Sequence, residues 1–138
     1  MTNRSYELRP IGRVDSTLVD IAEAPSQGDE GAPDAWLVID PDVSDAMRDL
    51  EVGDRIIVLT WLHLADRQVL RTYPRDQTES PHVGVFSLRA PDRPNPIGLH
   101  LVEILEVSGF RIKVSNLEAV NGTPILDIKP VRKNRPNG

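Results

Sequence analysis

The chain has 138 residues, 39% of them hydrophobic, which suits one domain with a real core. It holds no cysteine, so disulfides, thiolate metal sites and cysteine nucleophiles are excluded, and His63, His82 and His100 lack metal-ligand spacing, so no metal is expected. Net charge is −5, which argues against a polyanionic partner for the protein as a whole, and neither a membrane-length apolar run nor a signal-peptide core is present, so a soluble cytoplasmic protein is expected.

Tyr6 to Val14 reads as the first strand, with Leu8, Ile11 and Val14 apolar among polar neighbours. Residues 15–33 are rich in Asp, Ser, Gly and Pro and read as a long loop, either functional or mobile. Ala35 to Asp40 is the second strand. Val43, Ala46, Met47 and Leu50 then recur at helical spacing, with Ser44 as candidate cap, so one short helix is expected over 43–50. Arg55 to Leu64 is the most strongly β-forming run. Ile57, Leu59 and Trp61 share one face and Ile56, Val58, Thr60 and Leu62 the other, as in a strand covered on both sides. Arg67 to Tyr73 is expected to return antiparallel, and His82 to Leu88 to form a further strand. Ile97 to Val107 is a long strand that turns at Ser108-Gly109 into FRIKV, where Phe110, Ile112 and Val114 face inward. Asn121-Gly122 marks another turn before the last strand, ILDIK, whose alternation sets Ile125, Asp127 and Lys129 on one face. Short strands with regular turns and almost no helical periodicity predict an all-β barrel or sandwich. Residues 1–131 form the domain and 132–138 a free basic tail.

Charge is unevenly spread. Residues 1–66 carry 5 basic and 14 acidic side chains, whereas residues 67–138 carry 11 and 7. A locally basic face is therefore available for a polyanion, and charges scattered over solvated faces fit the same counts. The most constrained stretch, Arg89 to His100 (RAPDRPNPIGLH), lies in the basic half. Pro91, Pro94 and Pro96 each fix φ and restrict the residue before them. Arg89, Asp92, Arg93 and Asn95 can thus present polar groups at fixed positions, in front of an apolar strand. An ordinary proline-rich turn between two strands reads as well from these residues alone.

Gly84 to Ile104, GVFSLRAPDRPNPIGLHLVEI, resembles the GVFATRSPxRPNPIG signature of the TrmO family, also called TsaA-like or VirR-like. Asn116 to Pro130, NLEAVNGTPILDIKP, is similar to that family's DGTPVLDIKPY segment, and Leu8 to Thr17 to its opening strand. The resemblance implies a small β-barrel working as a homodimer, an S-adenosylmethionine-dependent methyltransferase. The implied acceptor is the base-attached nitrogen of threonylcarbamoyl-adenosine in tRNA.

The resemblance also implies a site. The cofactor's carboxylate needs a cation, for which Arg89 and Arg93 are candidates, Arg89 by its place in the motif. Its ammonium needs an acceptor, Asp92 or Asp127. Backbone from Pro94 and Asn95 through Gly98 to Leu99 can approach closely, and Ile97, Leu99, Leu126 and Ile128 can wall the adenine, with Lys129 beside them. Gln27 is the counterpart of a Pro-Arg-Gln element whose arginine is missing. Asp127, His63 and His100 are candidate bases, none compelling. Arg67, Arg71, Arg75, Arg132, Lys133 and Arg135 are candidate phosphate contacts for tRNA. Three departures bear on the substrate: His100 stands where the family has a small residue such as serine, Asn121 where it has aspartate, and Val131 where it has tyrosine. A small-molecule N- or O-methyltransferase, or a barrel that binds S-adenosylmethionine or RNA without catalysis, therefore remain alternatives.

Overall fold

The computed structural model describes residues 4–19, 31–74 and 81–131. Eight strands form: β1 (Gly12–Asp15), β2 (Ala35–Ile39), β3 (Arg55–Trp61), β4 (Arg71–Thr72), β5 (Val83–Gly84), β6 (Ile97–Ser108), β7 (Arg111–Val114) and β8 (Pro124–Pro130). Six of them pair in the order β1-β2-β7-β6-β3-β8, and β8 pairs back onto β1, so the sheet closes into a barrel. Every pairing in the ring is antiparallel. Closure removes the free edges that a small sheet would otherwise expose.

Alternation builds the core. Ile56 and Val58 on β3, Val102 and Ile104 on β6, Ile112 and Val114 on β7, and Leu37 on β2 point inward and are buried. Leu117 and Ile125 close the same cluster. β-branched side chains suit this interior because a six-stranded barrel is narrow and their χ1 is already restricted. The turn at Asn121-Gly122 forms where expected, while the hairpin expected at Ser108-Gly109 turns one residue later, at Gly109-Phe110, because Ser108 still pairs with Arg111. Both glycines adopt the positive φ that such turns require.

Several expected elements differ. β1 begins at Gly12, leaving Tyr6 and Leu8 exposed, because Pro10 offers no ladder donor and Leu8 and Ile11 break the two-residue period. The segment after β2 is a 3-10 helix, Pro41–Met47, ending before the expected Leu50. Ser44 does not cap it but sits inside, its hydroxyl donating to the Pro41 carbonyl. β4 pairs with β5 in a separate ribbon, since both edges of β3 are occupied by β6 and β8. The segment from His82 to Leu88 keeps only two strand residues and then makes a 3-10 turn, Val85–Ser87, that buries Val85 and exposes Phe86. Phe110 lies in the turn and is half exposed instead of facing inward.

One irregularity repositions the second motif. Leu59 pairs with Asp127, but the next residue, Thr60, pairs with Ile125, leaving Leu126 in a bulge. The bulge reverses the alternation, so Ile125 and Ile128 both pack against the core while Asp127 is level with the outward Leu59. Ile125 does not share a face with Asp127 and Lys129.

Candidate functional site

Antiparallel closure brings three connections to one end of the barrel: the one after β1, the one between β3 and β6, and the one between β7 and β8. The RPNPIG loop and the Asn116 to Thr123 half of the second motif therefore meet there. The 3-10 helix and the end of β8 are at the other end, around a cavity of about 430 Å³ lined by Ile11, Ile39, Met47, Leu50, Ile128 and Val131. The cavity is remote from the motif loops, and of the candidate residues only Asp127 and Ile128 reach it.

The RPNPIG loop is held by its own polar groups. Arg93 Nη1 donates to the carbonyls of Leu88 and Ala90, at 2.9 and 3.1 Å. Arg67 donates from Nε to the Pro94 carbonyl at 2.7 Å and from Nη2 to Asn95 Oδ1 at 3.1 Å, with its guanidinium 5.0 Å from the Trp61 ring centroid. Asp92 Oδ1 accepts the Asp66 amide at 2.8 Å, and the Leu62 amide donates to the Pro96 carbonyl at 2.8 Å. With the prolines, these bonds leave little freedom to lose on binding. They also engage Arg93, Arg67, Asp92 and Asn95. Arg89 is exposed and, among the described residues, makes no hydrogen bond or ion pair, so its five donors are available. His63, two residues beyond β3, is likewise exposed.

The second motif loop is tied to its neighbours. Asn121 Oδ1 accepts the Ser16 amide at 3.1 Å, and the Asn121 amide donates to the Leu18 carbonyl at 2.6 Å. The asparagine thus makes a backbone contact that anchors the connection after β1.

His100 faces the barrel interior and is 4% exposed. Its Nε2 lies 2.7 Å from Thr60 Oγ1 and its Nδ1 2.7 Å from Glu118 Oε1, so both ring nitrogens are engaged away from the outer surface. Thr60 and Glu118 were not singled out by sequence reasoning. The available signals were a hydroxyl directly after the aliphatic run Ile56 to Leu59 and a glutamate between two buried residues, Leu117 and Ala119.

Outside the barrel, β6, β3 and β8 lie side by side. Leu99, Leu59 and Asp127 form one row and Leu101, Ile57 and Lys129 the next, with Ile97 opposite Trp61. Ile97, Leu99 and Leu101 are 45%, 47% and 52% exposed, an apolar strip flanked by the Asp127–Lys129 ion pair at 2.9 Å. Gly98 is buried, Ile128 packs against the core, and Leu126 is half-buried in the bulge. The candidates thus divide between the loop end, the outer face and the interior. Gln27, Arg75, Arg132, Lys133 and Arg135 lie outside the described residues, whereas Arg71 is exposed on β4. Among the described residues no group of three or more His, Cys, Asp or Glu can hold a metal ion, and no helix is long and apolar enough to cross a membrane.

Comparison with known proteins identifies the family. A protein of Methanothermobacter thermautotrophicus, named a probable S-adenosyl-L-methionine-binding protein, is 45% identical over 130 residues, covering 94% of this chain and 93% of that protein. An S-adenosyl-L-methionine-binding protein of Archaeoglobus fulgidus is 43% identical over 122 residues, covering 88% and 86%. The crystal structure of TrmO from Pseudomonas aeruginosa matches with a TM-score of 0.73 at 28% identity, over 94% of this chain, which spans 57% of that longer one. The profile of the tRNA-methyltransferase O N-terminal domain covers residues 13–135. With nine-tenths of its length matched by that profile, the chain belongs to the tRNA-methyltransferase O N-terminal domain family.

Proposed function

We propose that the protein is an S-adenosylmethionine-dependent methyltransferase that works as a homodimer and N-methylates threonylcarbamoyl-adenosine in tRNA. The observation that carries the cofactor reading is the free guanidinium of Arg89 on a loop whose other arginine, Arg93, is engaged in holding the loop's shape, as is Arg67 from outside it. The residues fit the ligand. Arg89 suits its carboxylate, and the exposed aliphatic side chain of Ile97, at the loop end of the outer strip, suits a purine face. Bound there, the cofactor supplies an electrophilic methyl group, so the protein's task is to orient the acceptor in line with it. Asp127 and His63, exposed or half-exposed on the loop end and outer face, are the candidates for taking the acceptor's proton.

Calorimetry on the purified protein should give saturable binding of S-adenosylmethionine, and Arg89→Ala should weaken it by about 1.5–3 kcal/mol, as expected for a charge-assisted bond. No binding at millimolar cofactor sinks the reading. An unchanged affinity in the variant moves the carboxylate contact to backbone.

For tRNA as acceptor, affinity must come from phosphate contacts by the basic half, Arg71 and the tail among them. Incubation of bulk tRNA with radioactive methyl donor should label it, with a steep loss of binding as salt rises. Deleting residues 132–138 should raise the KM for tRNA and leave cofactor affinity unchanged. A specific observation favours a second reading: Arg67, one of the six candidate phosphate contacts, is already engaged by Pro94 and Asn95. If activity is flat across salt and indifferent to the tail, the acceptor is a small neutral molecule.

A further inference from the structure

We infer that Glu118, His100 and Thr60 form a buried positioning chain that sets the spacing between the two motif loops. The three residues come from separate parts of the chain, Thr60 from β3, His100 from β6 and Glu118 from the connection after β7. Thr60 is fully buried, His100 is 4% exposed and the Glu118 side chain 15%. A carboxylate oxygen accepts hydrogen bonds, so the geometry is satisfied with imidazole Nδ1–H directed toward Glu118. In that tautomer Nε2 accepts from the Thr60 hydroxyl. No buried side-chain nitrogen or oxygen among the described residues lacks a partner.

Aliphatic side chains of similar volume would fill this interior at a lower desolvation cost. What the polar chain adds is direction, two bonds of 2.7 Å each that hold three segments in one register. Gly98, in the RPNPIG motif, shows how tightly they are held. A Cβ there would lie inside contact distance of Thr60 Oγ1 and 2.7 Å from His100 Nε2, so the chain crosses directly over the start of β6. At the other end Glu118 lies three residues before Asn121, which anchors Ser16 and Leu18. The chain thus joins β3, β6 and the connection after β7, and that connection in turn holds the one after β1 through Asn121. Its role in cofactor binding rests on the methyltransferase reading, where a small misplacement of one wall reduces affinity.

Two readouts test the inference. Amide hydrogen exchange needs no cofactor. Thr60→Val removes the hydroxyl at constant shape, and it should speed exchange at Leu117 and Asn121 by about tenfold or more relative to the core amides of Val58 and Ile112. Thr60→Ser should leave all four as in the parent protein. Loss of global stability alone would speed core and loop amides together, and that result overturns the inference. If Thr60→Val does not fold, Glu118→Ala decides by the same comparison at Leu62 and Ile97, with Glu118→Gln expected to restore them. The second readout is the dissociation constant for S-adenosylmethionine, measured well below the melting temperature. It should rise at least about tenfold in Thr60→Val and Glu118→Ala and recover in Thr60→Ser and Glu118→Gln. Selective exchange with unchanged affinity overturns the role in cofactor binding. If the parent protein binds no cofactor, the methyltransferase reading has failed and exchange alone decides the positioning chain.

Discussion

Replacing Gly12 with alanine should destabilise the fold by more than about 3 kcal/mol, above the usual cost of overpacking. Gly12 sits in β1 between Ile39 of β2 and Ile125 of β8. An added Cβ would fall inside contact distance of the Val38 carbonyl oxygen and 3.0 Å from Ile39 Cα, both backbone atoms. A side chain could rotate away, but this peptide group is held by the β1–β2 ladder, and β2 is held in turn by β7. In a closed ring no strand can retreat without breaking another pairing. Thermal unfolding should show a fall in Tm of about 10 °C. Gly84→Ala is the control, since its Cβ meets nothing within 4 Å and its φ is not positive. A loss at Gly12 below about 1 kcal/mol would mean that the two strands can separate, and would contradict a tight ring.

The double variant Leu99→Asp, Leu101→Asp should be a monomer at micromolar concentration, where the parent protein should scatter light as twice 15.4 kDa. Ile97, Leu99, Leu101, Ile57, Leu59 and Trp61 form a contiguous apolar outer face on β6 and β3, and a patch of this kind on a small domain marks an interaction surface. A second copy offers an equally apolar strip, the self-complementary case of a twofold interface. Two carboxylates buried there should weaken association by at least about 4 kcal/mol, roughly a thousandfold. The barrel should survive, because both leucines point away from the core and are about half exposed already. A parent protein that is monomeric at micromolar concentration sinks the dimer.

The alternation in Arg55 to Trp61, the hairpin at Gly109 and the turn at Gly122 could be read from sequence because each depends on neighbouring residues alone. The motif residues were legible in the same way, as types at fixed spacings. The tertiary structure decided which of them remain available. Arg67, 27 residues from Pro94, reaches across to hold that loop, so one candidate phosphate contact is already engaged. Arg93 folds back onto Leu88 and Ala90, and Arg89 does not, a difference that two arginines on one loop do not reveal by type.

Composition and two-residue periodicity by themselves determined that this protein is built of short antiparallel strands, with a stiff polar loop before a long apolar one. Both properties come from covalent geometry and near-neighbour sterics. Only the tertiary structure decided that the bulge at Leu126 turns Ile125 away from Asp127, since a bulge is set by two strands competing for register. It also decided that His100 faces Thr60 and Glu118, 40 and 18 residues away, instead of an outer site. Which partner a buried polar group takes depends on which segments the closed ring brings within hydrogen-bonding distance, and no local pattern in the chain records that.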